Sequence, residues 1–193
     1  VSGITASNKT YDGSTNATLT GTAVYSGLVS GDTFDGTYTG AFSDKNVGTG
    51  KTVTITSSYS GADVSNYSVT DQSSTTANIT AKSLTVSGIT ASDKIYDGST
   101  SATLDPSLVV YSGLVTGDTF DGTYTGVFSN ANVGTGKTIN ITSSYNGADV
   151  NNYSVTDQSS TTAHITAKAL TATASASNKT CLLYTSDAAD EVS

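Results

Sequence analysis

KIYDGST at residues 94–100 shows how this chain is organised, because KTYDGST stands earlier, at residues 9–15, among the same neighbours. Residues 1–19 align with the residues 85 positions later in the chain. Residues 25–85 align with an offset of 86. A third copy starts near Leu170 and stops matching at Cys181. The chain is therefore a tandem array of two whole repeats and the beginning of another.

The Asp-Gly pair at the centre of this motif predicts a turn. An aspartate carboxylate can accept hydrogen bonds from nearby backbone amides, and glycine adopts the positive φ that other residues resist. A tyrosine precedes each pair, as Tyr11 and Tyr96. Surface tyrosines are common in binding surfaces. We nevertheless expect each tyrosine to pack over its own turn, because one side of a short β-sandwich needs closing.

Alternation of apolar and polar residues predicts about seven short strands per repeat, and no segment has helical periodicity. We expect Tyr38 and Phe42 to share one face of a strand, and Val53 and Ile55 to point inward. The sequence therefore predicts an all-β fold of tandem small β-sandwich-like (Ig-like) domains joined end to end. The strands expected in the first repeat cover residues 1–6, 17–23, 34–42, 51–56, 67–69 and 77–81.

The apolar alternation changes phase between the repeats, from odd positions up to Ala81 to even positions from Leu84. A slip of one residue moves the apolar side chains to the opposite face of a strand. We therefore place the domain border at Lys82 and Ser83, with almost no linker, which predicts a semi-rigid junction. The resulting division is 1–82 (first repeat), 83–168 (second repeat), 169–180 (start of a truncated third repeat) and 181–193 (tail).

The tail differs from the repeats, since it holds the only cysteine and the only glutamate of the chain, Glu191. Cys181–Glu191 reads CLLYTSDAADE, which resembles the translation of a transposase adapter used in sequencing libraries. We predict that residues 181–193 are not biological.

Without residues 181–193, the chain has 13 acidic residues and 8 lysines, which gives a net charge of −5, and no arginine occurs in the sequence. The basic patch that nucleic-acid binding requires is absent, so we expect no nucleic-acid partner.

The repeats lack the residues from which catalytic centres are built. His164 is the only histidine, and its counterpart in the first repeat is Asn78. Neither a Ser/His/Asp arrangement nor a cysteine and histidine metal cluster can be assembled from one histidine and no cysteine. We expect no enzymatic activity, no catalytic residue and no cofactor.

Two other kinds of site deserve comparison with simpler interpretations. Lys9 or Lys51 could form an isopeptide crosslink, but we expect both to be solvated turn lysines, as surface lysines usually are. The Gly-Asp-x-Phe-Asp-Gly loop of each repeat could offer two carboxylates to Ca²⁺, which takes six to eight ligands. We therefore expect these aspartates to form turns and expect no metal site; they are Asp32 and Asp35, repeated as Asp118 and Asp121.

Six short blocks recur in order in both repeats: LTVSGITASDKIYDGST, ATL, Tyr-Ser-Gly-Leu-Val-x-Gly-Asp, Val-Gly-Thr-Gly-Lys, Gly-Ala-Asp-Val-x-Asn-Tyr and Ile-Thr-Ala-Lys. Together they resemble the YDG-type repeat of large bacterial surface proteins, which include filamentous-haemagglutinin-like adhesins. The resemblance covers residues 1–168 and the stub to residue 180. It implies an extracellular protein of the bacterial cell surface, secreted or associated with the outer membrane.

The resemblance and the tight junctions favour a structural function. We expect a non-enzymatic stalk or spacer in a large secreted surface adhesin, with the neighbouring repeats as partners. The alternative is that the repeats themselves bind a host glycan or a host or bacterial protein, through the loops around Tyr25 to Phe34. No apolar run reaches the roughly 18 to 20 residues of a membrane helix, so we expect no membrane contact by this fragment. The chain begins inside a repeat, and any signal or anchor is expected outside it.

Overall fold

The computed structural model describes residues 1–179, so the predicted tail at 181–193 lies outside the described residues. The described chain is all-β, as predicted. The first repeat contains the 3-10 helix Val64–Asn66 and the strands β1 (Thr5–Ala6), β2 (Lys9–Thr10), β3 (Asn16–Ala17), β4 (Leu19–Thr20), β5 (Asp35–Phe42), β6 (Gly48–Ser60) and β7 (Ser74–Thr80).

The second repeat contains three more strands than the first. It comprises the 3-10 helix Val150–Asn152 and the strands β8 (Lys82–Ser87), β9 (Thr90–Ala91), β10 (Lys94–Ile95), β11 (Ser101–Ala102), β12 (Leu104–Asp105), β13 (Val110–Ser112), β14 (Asp121–Phe128), β15 (Gly134–Asn146), β16 (Tyr153–Thr156) and β17 (Ser160–Thr166). Within residues 1–179, no helix has the length and apolar character needed to cross a membrane.

Each repeat is built on a five-stranded sheet, in the order β2-β7-β6-β5-β3 in the first repeat and β10-β17-β15-β14-β11 in the second. The edge strands β2 and β10 run parallel to their neighbours, and the other pairs in these sheets are antiparallel. Two-stranded sheets, β1-β4 and β9-β12, lie beside them. The second repeat adds a three-stranded sheet, β13-β8-β16.

The long hairpin of β5 and β6 confirms the predicted inward residues. Val53 and Ile55 are buried, and Tyr38 lies on the same face of β5 as the buried Phe42. β6 extends beyond the predicted strand 51–56 at both ends, and its beginning includes the glycine-rich residues 48–50. A β-bulge between Gly48 and Lys51 accommodates the extra residues without ending the strand.

The predicted strand 1–6 is interrupted at Gly3, which has a φ of 88° and would place a Cβ against the carbonyl oxygen of Thr22. Only Thr5–Ala6 remains a strand, with one isolated bridge between Ser2 and Val24. The predicted strand 17–23 is likewise divided, because β3 pairs with β5 whereas β4 pairs with β1. A single segment therefore serves two sheets.

The predicted strand at 67–69 is wrong for the first repeat but correct for the second, where the equivalent residues form β16. The physical reason is the presence of a partner strand. β16 pairs in parallel with Lys82–Thr85 of β8, from Tyr153 to Thr156. In the first repeat, residues 67–70 lie in no strand.

Part of the packed core is shared by the two repeats, and a second cluster lies within the second repeat alone. β7 ends at Thr80 and β8 begins at Lys82, so the exposed Ala81 is the only residue between them. The buried positions change there from odd to even, as the sequence pattern predicts. One cluster of packed buried residues runs across this point, and it includes Tyr11, Phe42, Val53, Ala77 and Ile79 of the first repeat with Leu84, Val86, Ile89, Phe120 and Tyr153 of the second.

Candidate functional site: the junction between the repeats

Tyr11 of the Tyr-Asp-Gly motif is inserted into the neighbouring repeat. Its side chain is only 1% exposed, and its hydroxyl donates a hydrogen bond to Asp118 Oδ2 over 2.8 Å. Its ring contacts Tyr153 edge-on, with centroids 5.6 Å apart and planes at 77°. The expectation that this tyrosine packs over its own turn is therefore wrong, because Asp118 and Tyr153 of the other repeat contact it.

The other two residues of the motif shape the turn that carries Tyr11. Asp12 Oδ1 accepts hydrogen bonds from the backbone N–H of Ser14 at 2.8 Å and from the ammonium of Lys9 at 2.7 Å, as expected for a turn aspartate. Gly13 has a φ of 78°, and a Cβ there would lie 2.9 Å from Val115 Cγ1. Glycine is thus required both by the backbone conformation and by the close approach of the second repeat.

Lys45 places a positive charge between two carboxylates of the second repeat. Its ammonium lies 2.9 Å from Asp149 Oδ1 and 3.2 Å from Asp118 Oδ1. The two aspartate side chains are 11% and 3% exposed, so water screens them little. Hydrogen bonding to Asp149, and then to Tyr11 and Asp118, raises the pKa of Lys45 above its ordinary value. Lys45 is therefore held in its charged form.

The second repeat holds these carboxylates with its own donors. The hydroxyl of Tyr153 donates to Asp118 Oδ2 at 2.5 Å and accepts the backbone N–H of Val115 at 2.9 Å. Burial, and then this hydrogen bond to Asp118, raises the pKa of Tyr153 to about 12. Asp149 accepts the backbone N–H of Thr119 at 3.0 Å, and that hydrogen bond together with Lys45 lowers its pKa.

Asn152 completes the contact. The backbone N–H of Val47 donates to Asn152 Oδ1 at 3.0 Å, and Asn152 Nδ2 donates to Asn46 Oδ1 at 3.2 Å. Asn152 is only 3% exposed, so these contacts satisfy a buried amide. We call this contact surface the junction; it consists of Tyr11, Gly13, Lys45, Asn46 and Val47 from the first repeat and Val115, Asp118, Asp149, Asn152 and Tyr153 from the second.

Counterparts of the junction residues lie at the far end of each repeat. The first repeat has the counterparts of the acidic side of the junction, and the second repeat has the counterpart of Tyr11. In the first repeat, Tyr67 donates to Asp32 Oδ2 at 2.6 Å and Asp63 Oδ2 accepts the N–H of Thr33 at 2.8 Å, as their counterparts do in the junction. At the opposite end of the second repeat, Tyr96 is 41% exposed. The counterpart of Lys45 there is Ala131, so this end lacks the cation.

His164 has a structural contact that its counterpart shares. Its Nδ1 accepts the backbone N–H of Gly136 at 2.9 Å, and Asn78 Oδ1 accepts that of Gly50 at 2.7 Å. Both side chains hold the glycine turn of the neighbouring strand. The exchange of histidine for asparagine therefore preserves an acceptor at one position.

The turn lysines are not solvated, contrary to expectation. The side chains of Lys9 and Lys51 are 17% and 11% exposed, and they form ion pairs with Asp12 at 2.7 Å and Asp44 at 2.6 Å. Lys9 also donates to the carbonyl oxygens of Ser14 and Asn16. The Lys9 ammonium thereby crosslinks the backbone of its own turn, whereas the Lys51 ammonium is paired with the Asp44 carboxylate.

The two aspartates of each Gly-Asp-x-Phe-Asp-Gly loop have different structural roles. Asp118 belongs to the junction and Asp32 binds Tyr67, whereas Asp35 and Asp121 begin strands β5 and β14 with exposed side chains. In the sequence, Asp118 is identifiable only as a turn residue, and the pattern does not identify Lys45, Asp149 or Asn152 as contact residues. The recurrence of Gly-Ala-Asp-Val-x-Asn-Tyr was a signal for the last two, whereas Lys45 does not recur.

Comparison with known proteins gives a family and no individual relative. No curated protein and no solved structure matches the chain. The family model described as the YDG domain matches residues 1–77 and again residues 80–163. Most of the chain is thereby covered, and each match contains one copy of the Tyr-Asp-Gly motif. The chain therefore belongs to the YDG domain family and contains two copies of its domain.

Proposed function

We propose that these repeats form a non-enzymatic stalk in a large secreted adhesin of the bacterial surface. One observation carries the proposal: Tyr11, from the motif that defines the repeat, is 99% covered by packing that includes the next repeat, where it binds Asp118. A motif that recurs in both repeats, and that joins the first repeat to the second, is suited to an array of fixed geometry.

Two features oppose bending between the repeats. Ala81 is the only residue between β7 and β8, so the connection has little freedom of its own. Buried ionic and hydrogen-bonded contacts of the junction then oppose rotation about that connection. Domains joined by small polar contacts usually move relative to one another, whereas a shared apolar core holds them together. A stalk needs this resistance in order to project another domain from a surface.

The architecture within each repeat is also part of the proposal. We regard each repeat as a small β-sandwich of Ig-like kind. The facing layers would be the five-stranded sheet and, in the second repeat, the sheet of β13, β8 and β16. The extracellular, surface-linked setting rests on the resemblance to YDG-type repeats of bacterial surface proteins.

A binding function for the repeats is the second candidate, and one observation favours it. A cavity of about 300 Å³ opens in the first repeat, with Tyr25, Phe34 and Tyr67 in its lining. Aromatic side chains in a concave site are typical of ligand pockets. This cavity adjoins the loop from Tyr25 to Phe34, which is the region through which the sequence predicts ligand binding in the alternative function.

Small-angle X-ray scattering of the purified chain tests the stalk directly. We expect a single extended particle whose maximum dimension does not change with salt, and a broader distribution of dimensions after Tyr11→Ala combined with Lys45→Ala. The combined Tyr96→Ala and Lys168→Ala variant is the matched control, because those residues lie outside the junction. Specific retention of the chain on a glycan array or on host cells, with a scattering profile of freely moving repeats, would favour the binding function instead.

A further inference from the structure

The chain contains a single asparagine that is followed by glycine. The pair is Asn146-Gly147, at the end of strand β15. A backbone nitrogen can attack the side-chain amide carbon of the asparagine before it, and a residue without a Cβ obstructs this attack least. Every other asparagine of the sequence precedes a residue that carries a Cβ. Asn146 is therefore the asparagine whose amide is most open to attack by its own backbone.

The structure leaves both groups of this pair accessible. Asn146 and Gly147 are exposed, and Asn146 is the last residue of its strand. Local opening at a strand end costs little free energy, so the pair can leave the extended conformation without unfolding of the repeat. Within residues 1–179, the backbone N–H of Gly147 donates to no other backbone group. The attacking nitrogen is therefore not held by a backbone partner.

Four aspartates also precede glycine, but they are poorer targets than the asparagine. They are Asp12, Asp35, Asp97 and Asp121. An ionised carboxylate resists attack by a nucleophile, whereas an amide is uncharged at every pH at which the protein is folded. Asp12 and Asp97 are in addition each paired with a lysine at 2.7 Å, which favours the ionised form.

We propose that Asn146 is a site of spontaneous deamidation. The backbone nitrogen of Gly147 forms a bond to Cγ of Asn146, which closes a succinimide ring. The bond from Cγ to the side-chain nitrogen breaks, and that nitrogen leaves as ammonia with the proton of the attacking N–H. Water then opens the ring at either carbonyl and gives aspartate or isoaspartate. No group is oxidised or reduced, and water is the only other reactant.

The first repeat holds an unreactive counterpart of this site. Ser60 and Gly61 align with Asn146 and Gly147, and Ser60 likewise ends its strand, β6. The two glycines have nearly the same backbone conformation, with φ of 131° at Gly61 and 129° at Gly147. A serine side chain has no carbonyl carbon, so no succinimide can form there. Ageing should therefore change the second repeat at this position and spare the first.

Both products place a new carboxylate at the end of β15. Asp121 lies directly opposite Asn146 in the pairing of β14 with β15. After deamidation, two like charges face each other across the two strands, and such pairs are destabilising. The reaction therefore weakens the end of this hairpin by charge alone, whichever product forms.

Isoaspartate also disturbs the junction, because it adds one methylene to the main chain ahead of Gly147. The following turn leads to Asp149, which Lys45 contacts at 2.9 Å. Thr119 holds both ends of that turn. A Cβ on Gly147 would lie 2.3 Å from its carbonyl oxygen, and its N–H donates to Asp149 Oδ2 at 3.0 Å. Backbone packed this closely has little room for an added atom, so we expect Asp149 to be displaced from Lys45.

Incubation of the purified chain at mildly alkaline pH, followed by peptide mass mapping, tests the site. We expect an acidic form to accumulate on anion exchange, with the amide-to-acid mass gain located at Asn146. Asn146→Ser copies the first repeat and should lose this form. Asn140→Ser is the matched control, since it removes another exposed asparagine of β15 and should still convert. Conversion that occurs mainly at other asparagines, or an Asn146 that converts only when urea unfolds the chain, would overturn the proposal.

A comparison of separated forms tests the effect on the junction. The isoaspartate form should unfold at a lower urea concentration than fresh protein. Asn146→Asp, which adds the charge without the methylene, should shift the midpoint less. In a Lys45→Ala background the isoaspartate form should lose less, because that junction already lacks its cation. An isoaspartate form as stable as fresh protein would contradict the effect on the junction. The inference does not rest on the stalk function, since both measurements concern one isolated chain.

Discussion

The hydroxyl of Tyr11 donates a hydrogen bond to Asp118 Oδ2 across 2.8 Å, although 107 residues separate the two in the chain. The same carboxylate oxygen accepts the hydroxyl of Tyr153, and Lys45 lies beside the other oxygen. Asp118 is therefore the point at which donors from both repeats meet. A carboxylate buried among three donors stabilises the junction only while those donors remain in place.

Replacing Tyr11 by phenylalanine removes one of these donors and keeps the ring. We expect Tyr11→Phe to lower the free energy of unfolding by about 1 kcal/mol, the usual contribution of one hydrogen bond. Urea unfolding followed by circular dichroism measures this change. Tyr96→Phe is the control and should leave stability unchanged, because Tyr96 is 41% exposed. Equal effects of the two variants would show that the motif tyrosine acts within its own repeat.

Removing Lys45 leaves Asp118 and Asp149 facing each other without a cation. We expect Lys45→Ala to lower the urea midpoint clearly, because two like charges then share a poorly hydrated site. In an Asp149→Asn background the same substitution should cost less, since one of the two charges has already gone. Comparison of the four proteins in a double-mutant cycle measures the coupling. Additive effects would mean that the ion pair contributes nothing to the junction.

Acid should loosen the junction through Asp149. The N–H of Thr119 and the ammonium of Lys45 hold the pKa of this carboxyl below its ordinary value of 3.8. Its ionisation therefore contributes stability that is present above pH 3.8 and is lost as the pH falls through the lower, folded value. We expect unfolding free energy to drop below about pH 4, and to drop less in Asp149→Asn. Identical pH profiles for the two proteins would contradict this account.

Alkali should act through Tyr153. Burial and the hydrogen bond to Asp118 raise its pKa from 10.0 to about 12 in the folded protein. The stability this shift contributes is present below pH 10 and is lost as the pH rises toward 12. In an absorbance titration of tyrosinate, we expect the difference between the parent and Tyr153→Phe to appear near pH 12 in native protein. An ionisation near pH 10 would show that Tyr153 is accessible to water.

The sequence predicted those features that depend on local pattern. Alternation placed Val53 and Ile55 in the core, and the change of phase after Ala81 coincides with the passage from β7 to β8. The Asp12-Gly13 turn followed from the conformations that these two residue types allow. Each of these features is decided within a few residues, so a repeat period and a strand period are sufficient to find them.

The junction could not be predicted in the same way, because it joins residues that are distant in sequence. Tyr11 was expected to pack locally, since nothing in its own repeat indicates that Asp118 and Tyr153 of the next repeat cover it. Lys45 could not be identified from the repeat pattern, because the residue that aligns with it in the second repeat is Ala131. The prediction of a strand at residues 67–69 was wrong for a related reason. Strand formation there needs a partner strand, which the local sequence does not reveal.

A distance measurement between the repeats tests whether the junction fixes their relative position. Spin labels at Thr52 and Thr138, both exposed strand residues, can be read by pulsed electron resonance after Cys181→Ser removes the native thiol. Dilute samples, mixed with unlabelled chain, confine the signal to pairs within one chain. We predict one narrow distance distribution, which broadens in the Tyr11→Ala and Lys45→Ala double variant. A broad distribution in the parent chain, unchanged by that double variant, would contradict the account.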